Sequence, residues 1–125
     1  MYTPGDSEWS AEQYLNTYYR EVVLADERSV LAFELDALAS ERAPFGRALE
    51  YGCGPTVHRA IAAARHTFRI DMADRAPGNL WQIRRWLQAG APDTDWNRFT
   101  RFILEHERGW VSSGAIVRRE TRTRT

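Results

Sequence analysis

Apolar residues in the first forty positions recur at helical spacing. Tyr14, Leu15, Tyr18 and Tyr19 follow Ser10 and Gln13, a pair spaced as a capping box, which predicts a first helix over residues 7–24. Leu31, Leu35 and Leu38 share a face and predict a second helix from Asp26 to Ser40. Pro44 and Gly46 break the pattern. Arg47 to Tyr51 then reads as a short strand running into Gly52-Cys53-Gly54-Pro55-Thr56, with a helix from His58 to Ala64 behind it. A second strand covers Thr67 to Met72 and ends near Asp74, and Arg75 to Gly78 reads as a turn. From Asn79 onward Leu80, Ile83 and Leu87 line one side of a helix that stops at Gly90. Asp93 or Thr94 is placed to cap a further helix carrying Trp96, Phe99, Phe102 and Ile103. The tail from Arg118 to Thr125 is polar and reads as a solvated end, frayed or helical.

The order is two helices, strand, glycine loop, helix, strand, helix, helix. It predicts an α/β fold with parallel strands, residues 1–46 forming an N-terminal helical cap and 47–125 an incomplete sheet domain. Two parallel strands alone leave apolar faces and edges open, which favours association. The expectation is a truncated or split product, or a chain completed by a partner copy through exchange of elements.

Composition narrows the picture. A chain of 125 residues, 43% hydrophobic and 27% charged, is long enough for one domain with its own core and reads as globular. Seventeen basic and seventeen acidic side chains cancel, so no global field draws the chain to nucleic acid or membrane, and neither partner is expected. Cys53 is the single cysteine, which excludes an internal disulfide and suits a reducing cytoplasm. All the basic residues are arginine, a pattern attributed to GC-rich coding, not to phosphate binding.

The chemistry concentrates at Leu49-Glu50-Tyr51-Gly52-Cys53-Gly54-Pro55, between a strand and a helix. Glycines there allow close backbone approach, and a helix N-terminus offers N–H groups to a ligand. Asp74 lies 20 residues beyond Gly54, after the second strand, where an acid can accept both hydroxyls of a ribose. A dinucleotide would call for a third glycine where Val57 stands, and Glu50 suits a neutral or cationic ligand better than a pyrophosphate. S-adenosylmethionine, with its amine and sulfonium, is therefore favoured, and NAD stays as a rival.

The loop Glu50-Tyr51-Gly52-Cys53-Gly54-Pro55-Thr56 resembles the Asp-Ile-Gly-Ser-Gly-Pro-Thr loop of the nicotinamide, phenylethanolamine and thioether methyltransferase family. Asp74 with Asn79-Leu80 is similar to that family's Asp-Tyr-Ser-Asp-Gln-Asn-Leu segment, at the same spacing. Trp86-Leu87 and Asp95-Trp96 match its Trp-Leu and Asp-Trp pairs, and Tyr14-Leu15 with Tyr18-Tyr19 its Asp-Tyr-Leu-x-x-Tyr-Tyr motif. The resemblance runs from Ser10 to Trp96 and implies a partial Rossmann-like class I methyltransferase fold, with the sheet incomplete. It also implies transfer of a methyl group from S-adenosylmethionine to a small-molecule acceptor, an amine by family, leaving S-adenosylhomocysteine. By position the family's cofactor contacts fall on Tyr14, Tyr19, Gly52, Cys53, Asp74 and Asn79, to which Glu50 and Gly54 of the loop are added. Tyr14 and Tyr19 would close over the cofactor, Gly52 and Cys53 would meet its amino-acid end, Asp74 its ribose, and Asn79 its ribose and adenine. His58 departs from a tyrosine common after Pro-Thr, and Pro77-Gly78 stiffens the turn before Asn79. Displacement at a methyl carbon relies on alignment, so no catalytic acid or base is named.

Each residue also has a plainer role. The glycines fit a tight turn, Asp74 a helix cap, and the two tyrosines core packing. Cys53 reads as a small packed residue with no base beside it. His58, His66 and His106 lack metal-ligand spacing and fit packing or surface roles, and the tryptophans fit core or helix packing. A non-catalytic module that binds the nucleoside cofactor or dimerises is the rival to an enzyme.

Overall fold

A computed structural model describes residues 9–20, 23–41, 45–88 and 95–125. Among the described residues six helices and two strands follow one another as α1 (Ala11–Tyr18), α2 (Ala25–Ala39), β1 (Ala48–Tyr51), α3 (His58–Ala63), β2 (Ile70–Ala73), α4 (Pro77–Leu87), α5 (Asn97–Arg108) and α6 (Ser113–Arg124).

The helix ends follow local chemistry. Ser10 caps α1 as expected, its Oγ accepting from the Gln13 N–H at 3.2 Å. The helix ends earlier than residue 24: Tyr19 has left helical geometry, and Arg98 donates to the carbonyls of Tyr19 and Arg20. α4 begins two residues ahead of the predicted Asn79, because Pro77 takes the first helical position, where its missing N–H costs nothing. Pro77-Gly78 is thus the first part of a helix and not a turn. The expected stop at Gly90 and the caps at Asp93 and Thr94 lie outside the described residues. Asp95 Oδ1 accepts from the Asn97 N–H at 2.8 Å at the start of α5, which closes on Gly109 in left-handed geometry.

β1 and β2 are parallel neighbours, Ala48 opposite Ile70 and Tyr51 opposite Ala73. Thr67, read as the start of the second strand, makes only a bridge to Phe45, and the ladder begins at Ile70. Side chains alternate across the strand. Glu50 and Met72 face the helices, whereas Leu49 and Tyr51 are 65% and 87% exposed on the other face. On that open face Asp71 sits between Arg47 and Arg69, 3.0 Å from each.

The main core runs through the helical side, with a smaller cluster of Leu104, Ala115 and Ile116 between α5 and α6. Leu15, Leu31 and Leu35 pack with Val57, Ile61, Ile83, Trp86, Trp96, Phe99 and Ile103. The C-terminal stretch takes the helical of the two forms expected, as α6, capped by Ser112 Oγ, which accepts from the Ala115 N–H, but two of its charged residues are buried, which the pattern did not foresee. Arg119 donates to Glu107 at 2.8 and 2.9 Å and to the carbonyls of Ile61 and Ala62 at 2.9 and 3.2 Å. Glu120 accepts from Thr100 Oγ1 at 2.7 Å. Paired in this way the charges carry α6 onto α3 and α5, so the tail is a structural helix and not a solvated end. No helix among the described residues is long and apolar enough to cross a membrane.

Candidate functional site

The candidate site lies where β1 and β2 end. Gly52 and Gly54 have φ of 70° and 63°, left-handed values that disfavour any side chain, so glycine is favoured at both where the chain turns this tightly. The N–H groups of Gly52 and Cys53 both donate to the Ala73 carbonyl, at 2.7 and 3.0 Å, and the Gly54 N–H donates to Asp74 Oδ2 at 2.9 Å. These three amides are therefore engaged within the protein, and any N–H groups offered to a ligand would come from the start of α3, as the sequence suggests. The glycines' contribution is close approach of the backbone.

Asp74 ties together the loop and the start of α4. Its Oδ1 accepts from the Ala76 N–H and from Asn79 Nδ2, each at 2.9 Å, while Oδ2 holds Gly54. Burial works against ionisation here, but these donors outweigh it and hold the carboxyl below its ordinary range. Of the two readings of Asp74, the one that braces a helix start is visible in these bonds, and the same carboxylate lines the cleft described next.

All eight residues singled out from the sequence, Tyr14, Tyr19, Glu50, Gly52, Cys53, Gly54, Asp74 and Asn79, line one cleft of about 430 Å³. That volume falls within the range of small-molecule sites. Tyr14 and Tyr19 approach with ring centroids 5.6 Å apart, because Tyr19 has left the helix and turns back toward the core. Burial, with Tyr14 beside it, pushes the Tyr19 hydroxyl well above its ordinary range, so Tyr19 stays a neutral phenol. Cys53 is buried, and burial, then Glu50 and Asp74, pushes its thiol up to about 11, which keeps it protonated and unreactive at neutral pH.

Glu50 is the electrostatic feature of the cleft. Its Oε2 is buried without a hydrogen-bond partner, and burial raises the carboxyl to about 7, with Arg59 lowering it and Glu34 raising it. A buried carboxylate lacking a donor is stabilised by an arriving cation. Next to it, His58 is enclosed by Tyr19, Trp96 and Phe99, stacked on Trp96 with an 11° interplanar angle. Burial keeps the ring neutral and its Nε2–H bonds to Glu27, whose carboxyl that bond lowers.

Several contributors escaped the sequence reading. Trp9 lines the cleft and donates to Asn79, and Thr56, His58 and Arg59 join the wall. Only the aromatic identity of Trp9, five residues ahead of Tyr14, hinted at this. Packing does describe Trp86 and Trp96, but Trp81 and Trp110 are more than half exposed and do not belong to the core.

A mixed helix-and-strand chain with a small parallel sheet and a glycine loop braced by an acid is consistent with part of a methyltransferase fold. The model of the NNMT/PNMT/TEMT family matches residues 4–125, and the chain belongs to that family. Among its relatives is indolethylamine N-methyltransferase of Oryctolagus cuniculus, 29% identical over 99 residues that span 75% of this chain and 38% of that protein. Indolethylamine N-methyltransferase of Mus musculus is 26% identical over 122 residues, 91% of this chain and 46% of its own length. The chain thus spans less than half the length of these curated relatives.

Proposed function

We propose that this chain is the cofactor-binding, N-terminal portion of a cytoplasmic S-adenosylmethionine-dependent methyltransferase that acts on a small amine. The supporting observation is the convergence on one cleft of the glycine loop, Asp74, Asn79, the Tyr14–Tyr19 pair and the unpartnered Glu50, in a chain of this family. The residues present fit the cofactor by chemistry. Glu50 suits a cationic group, Asp74 Oδ2 keeps one acceptor site for a ribose hydroxyl, and the tyrosines give the wall an apolar face. When bound, the cofactor supplies an electrophilic methyl group on sulfur. The chain's own residues bind, orient and exclude water, which is how such a displacement is accelerated. In this reading residues 1–46 form the cap and residues 47–125 part of a Rossmann-like domain, completed on its open sheet face by a further polypeptide or a second copy of the chain.

Calorimetric titration with S-adenosylmethionine and with S-adenosylhomocysteine tests the assignment. The chain is expected to bind both, and Glu50→Gln to weaken the sulfonium-bearing cofactor more than its neutral-sulfur product. Failure to bind either, or preferential binding of NADH, would overturn it.

A second reading, a cofactor-binding module without turnover, is favoured by the open Leu49–Tyr51 face, a surface suited to association. Methyl transfer to any member of a panel of amines would exclude it.

A further inference from the structure

Trp9 stands just ahead of α1, yet its indole Nε1–H donates to Asn79 Oδ1 at 2.6 Å across 70 residues of chain. The other end of that carboxamide donates from Nδ2 to Asp74 Oδ1 at 2.9 Å, and Asp74 Oδ2 accepts from the Gly54 N–H at 2.9 Å. Asn79 is 3% exposed, so its amide must find its partners within the protein. A carboxamide has one accepting and one donating end. An indole can only donate and a carboxylate can only accept, so the two contacts together permit one orientation of the amide. Trp9 is itself braced, its ring 5.2 Å from that of Tyr14, which in turn meets Tyr19. The donor is therefore presented from the aromatic wall of the cleft, and the relay ends in the glycine loop opposite.

We propose that Trp9 is a positioning residue of this site: acting through Asn79, it aims the Asp74 carboxylate, and with it Gly54, at the nucleoside that the cleft receives. The inference rests on the nucleoside-binding reading above and adds a residue outside every motif that led to it. Phenylalanine at position 9 keeps the ring but offers no donor. Asn79 Oδ1 is then a buried acceptor without a partner, and the amide loses the contact that fixed its rotation.

Nitrogen-15 NMR of the chain, wild type against Trp9→Phe, reads this directly. The Asn79 side-chain NH₂ and the Gly54 amide resonances are expected to shift. In Trp110→Phe, a change at a tryptophan 64% exposed and outside the cleft, both should stay in place. A Gly54 resonance unmoved by Trp9→Phe would overturn the proposal, because a ring that merely packs reaches neither end of the relay. In calorimetric titration with S-adenosylhomocysteine, Trp9→Phe is expected to bind about tenfold more weakly, the scale of one net hydrogen bond, and Trp110→Phe as wild type. Equal affinity of Trp9→Phe and wild type would also overturn it. If the wild-type chain binds no S-adenosylhomocysteine, the nucleoside reading falls, and the two resonances alone decide whether the relay exists.

Discussion

Replacing Glu50 by glutamine tests the electrostatics of the cleft without any ligand. Glu50 Oε2 is buried and has no hydrogen-bond partner, so a near-isosteric amide breaks no bond at that atom. Burial is the main reason the carboxyl rises from its ordinary 4.5 to about 7, with Arg59 opposing and Glu34 adding to the rise. An acid with a raised folded pKa opposes folding once it is charged. At pH below 4.5 folded and unfolded chains both hold the proton and no penalty exists. Between 4.5 and about 7 the unfolded chain releases a proton that the folded chain keeps, so stability falls as pH rises, and above about 7 the loss is complete. Each tenfold change in proton affinity is worth about 1.36 kcal/mol, which makes the full loss about 3 kcal/mol. About 2.5 kcal/mol of it falls between about pH 5 and about pH 8. Urea unfolding of wild type and Glu50→Gln at both pH values measures the difference, and comparison at each pH cancels every other titrating group. Wild type is expected to lose about 2.5 kcal/mol relative to the variant across that interval, with equal m-values. Parallel pH profiles would refute the reasoning, for they would mean that water reaches the carboxylate and that it titrates in its ordinary range.

Other perturbations probe the rest of the frame. Arg119→Met removes both close hydrogen bonds from the enclosed Glu107 carboxylate and leaves it the longer pair with the half-exposed Arg65. It is therefore expected to cost about 3 kcal/mol in urea unfolding, with much of the loss recovered by adding Glu107→Leu. A single-variant cost under about 1 kcal/mol would show that the pair is solvated. Gly54→Ala is expected to cost about 1–2 kcal/mol from backbone strain alone, because φ is +63° and nothing lies within 4 Å of the added Cβ. Gly46→Ala, with open space and no positive φ, is the control and should change little. The bond from His58 lowers the Glu27 carboxyl, so its stabilisation is present above its ordinary 4.5 and is lost as pH falls through the lower folded value. Thermal unfolding should accordingly show wild type destabilised by acid more steeply than Glu27→Gln, and identical acid profiles would count against the pair.

What could be read in advance was local. Glycines spaced around a tight turn, an acid closing the second strand and apolar residues at helical spacing each act within a few residues, and each appears in the fold. What could not be read was which polar groups meet across long stretches of chain. Trp9 with Asn79 and Glu27 with His58 are separated by 70 and 31 positions, and no periodicity encodes either pairing. The tail shows the same limit in energetic form. Arg119 and Glu120 count as solvent-seeking in any hydropathy pattern, yet both are buried, because Glu107, Thr100 and two backbone carbonyls meet their hydrogen-bonding needs. Pro77-Gly78 misleads for a different reason. The same residues that open turns also suit the first turn of a helix, and only the packing of Ile83 and Trp86 into the core selects the helix.

The open face of the sheet and the cleft share a residue, which links assembly to binding. Leu49 and Tyr51 alternate with Glu50 on β1, so the strand that points a buried carboxylate at the cleft also offers two large apolar side chains to solvent. Tyr51 belongs to both surfaces, being 87% exposed while lining the cleft. A polypeptide laid over Leu49 and Tyr51 would therefore narrow the cleft as it buried that face, and would lower the dielectric around Glu50. A cation beside Glu50 would then gain from the same event, since its attraction to the carboxylate strengthens as water leaves. Ligand affinity and coverage of the sheet are thus expected to rise together. Mutation of Tyr51 to a small polar residue should weaken both in one step, while the equivalent change at Leu49, which does not line the cleft, should weaken association and reach the ligand only through it.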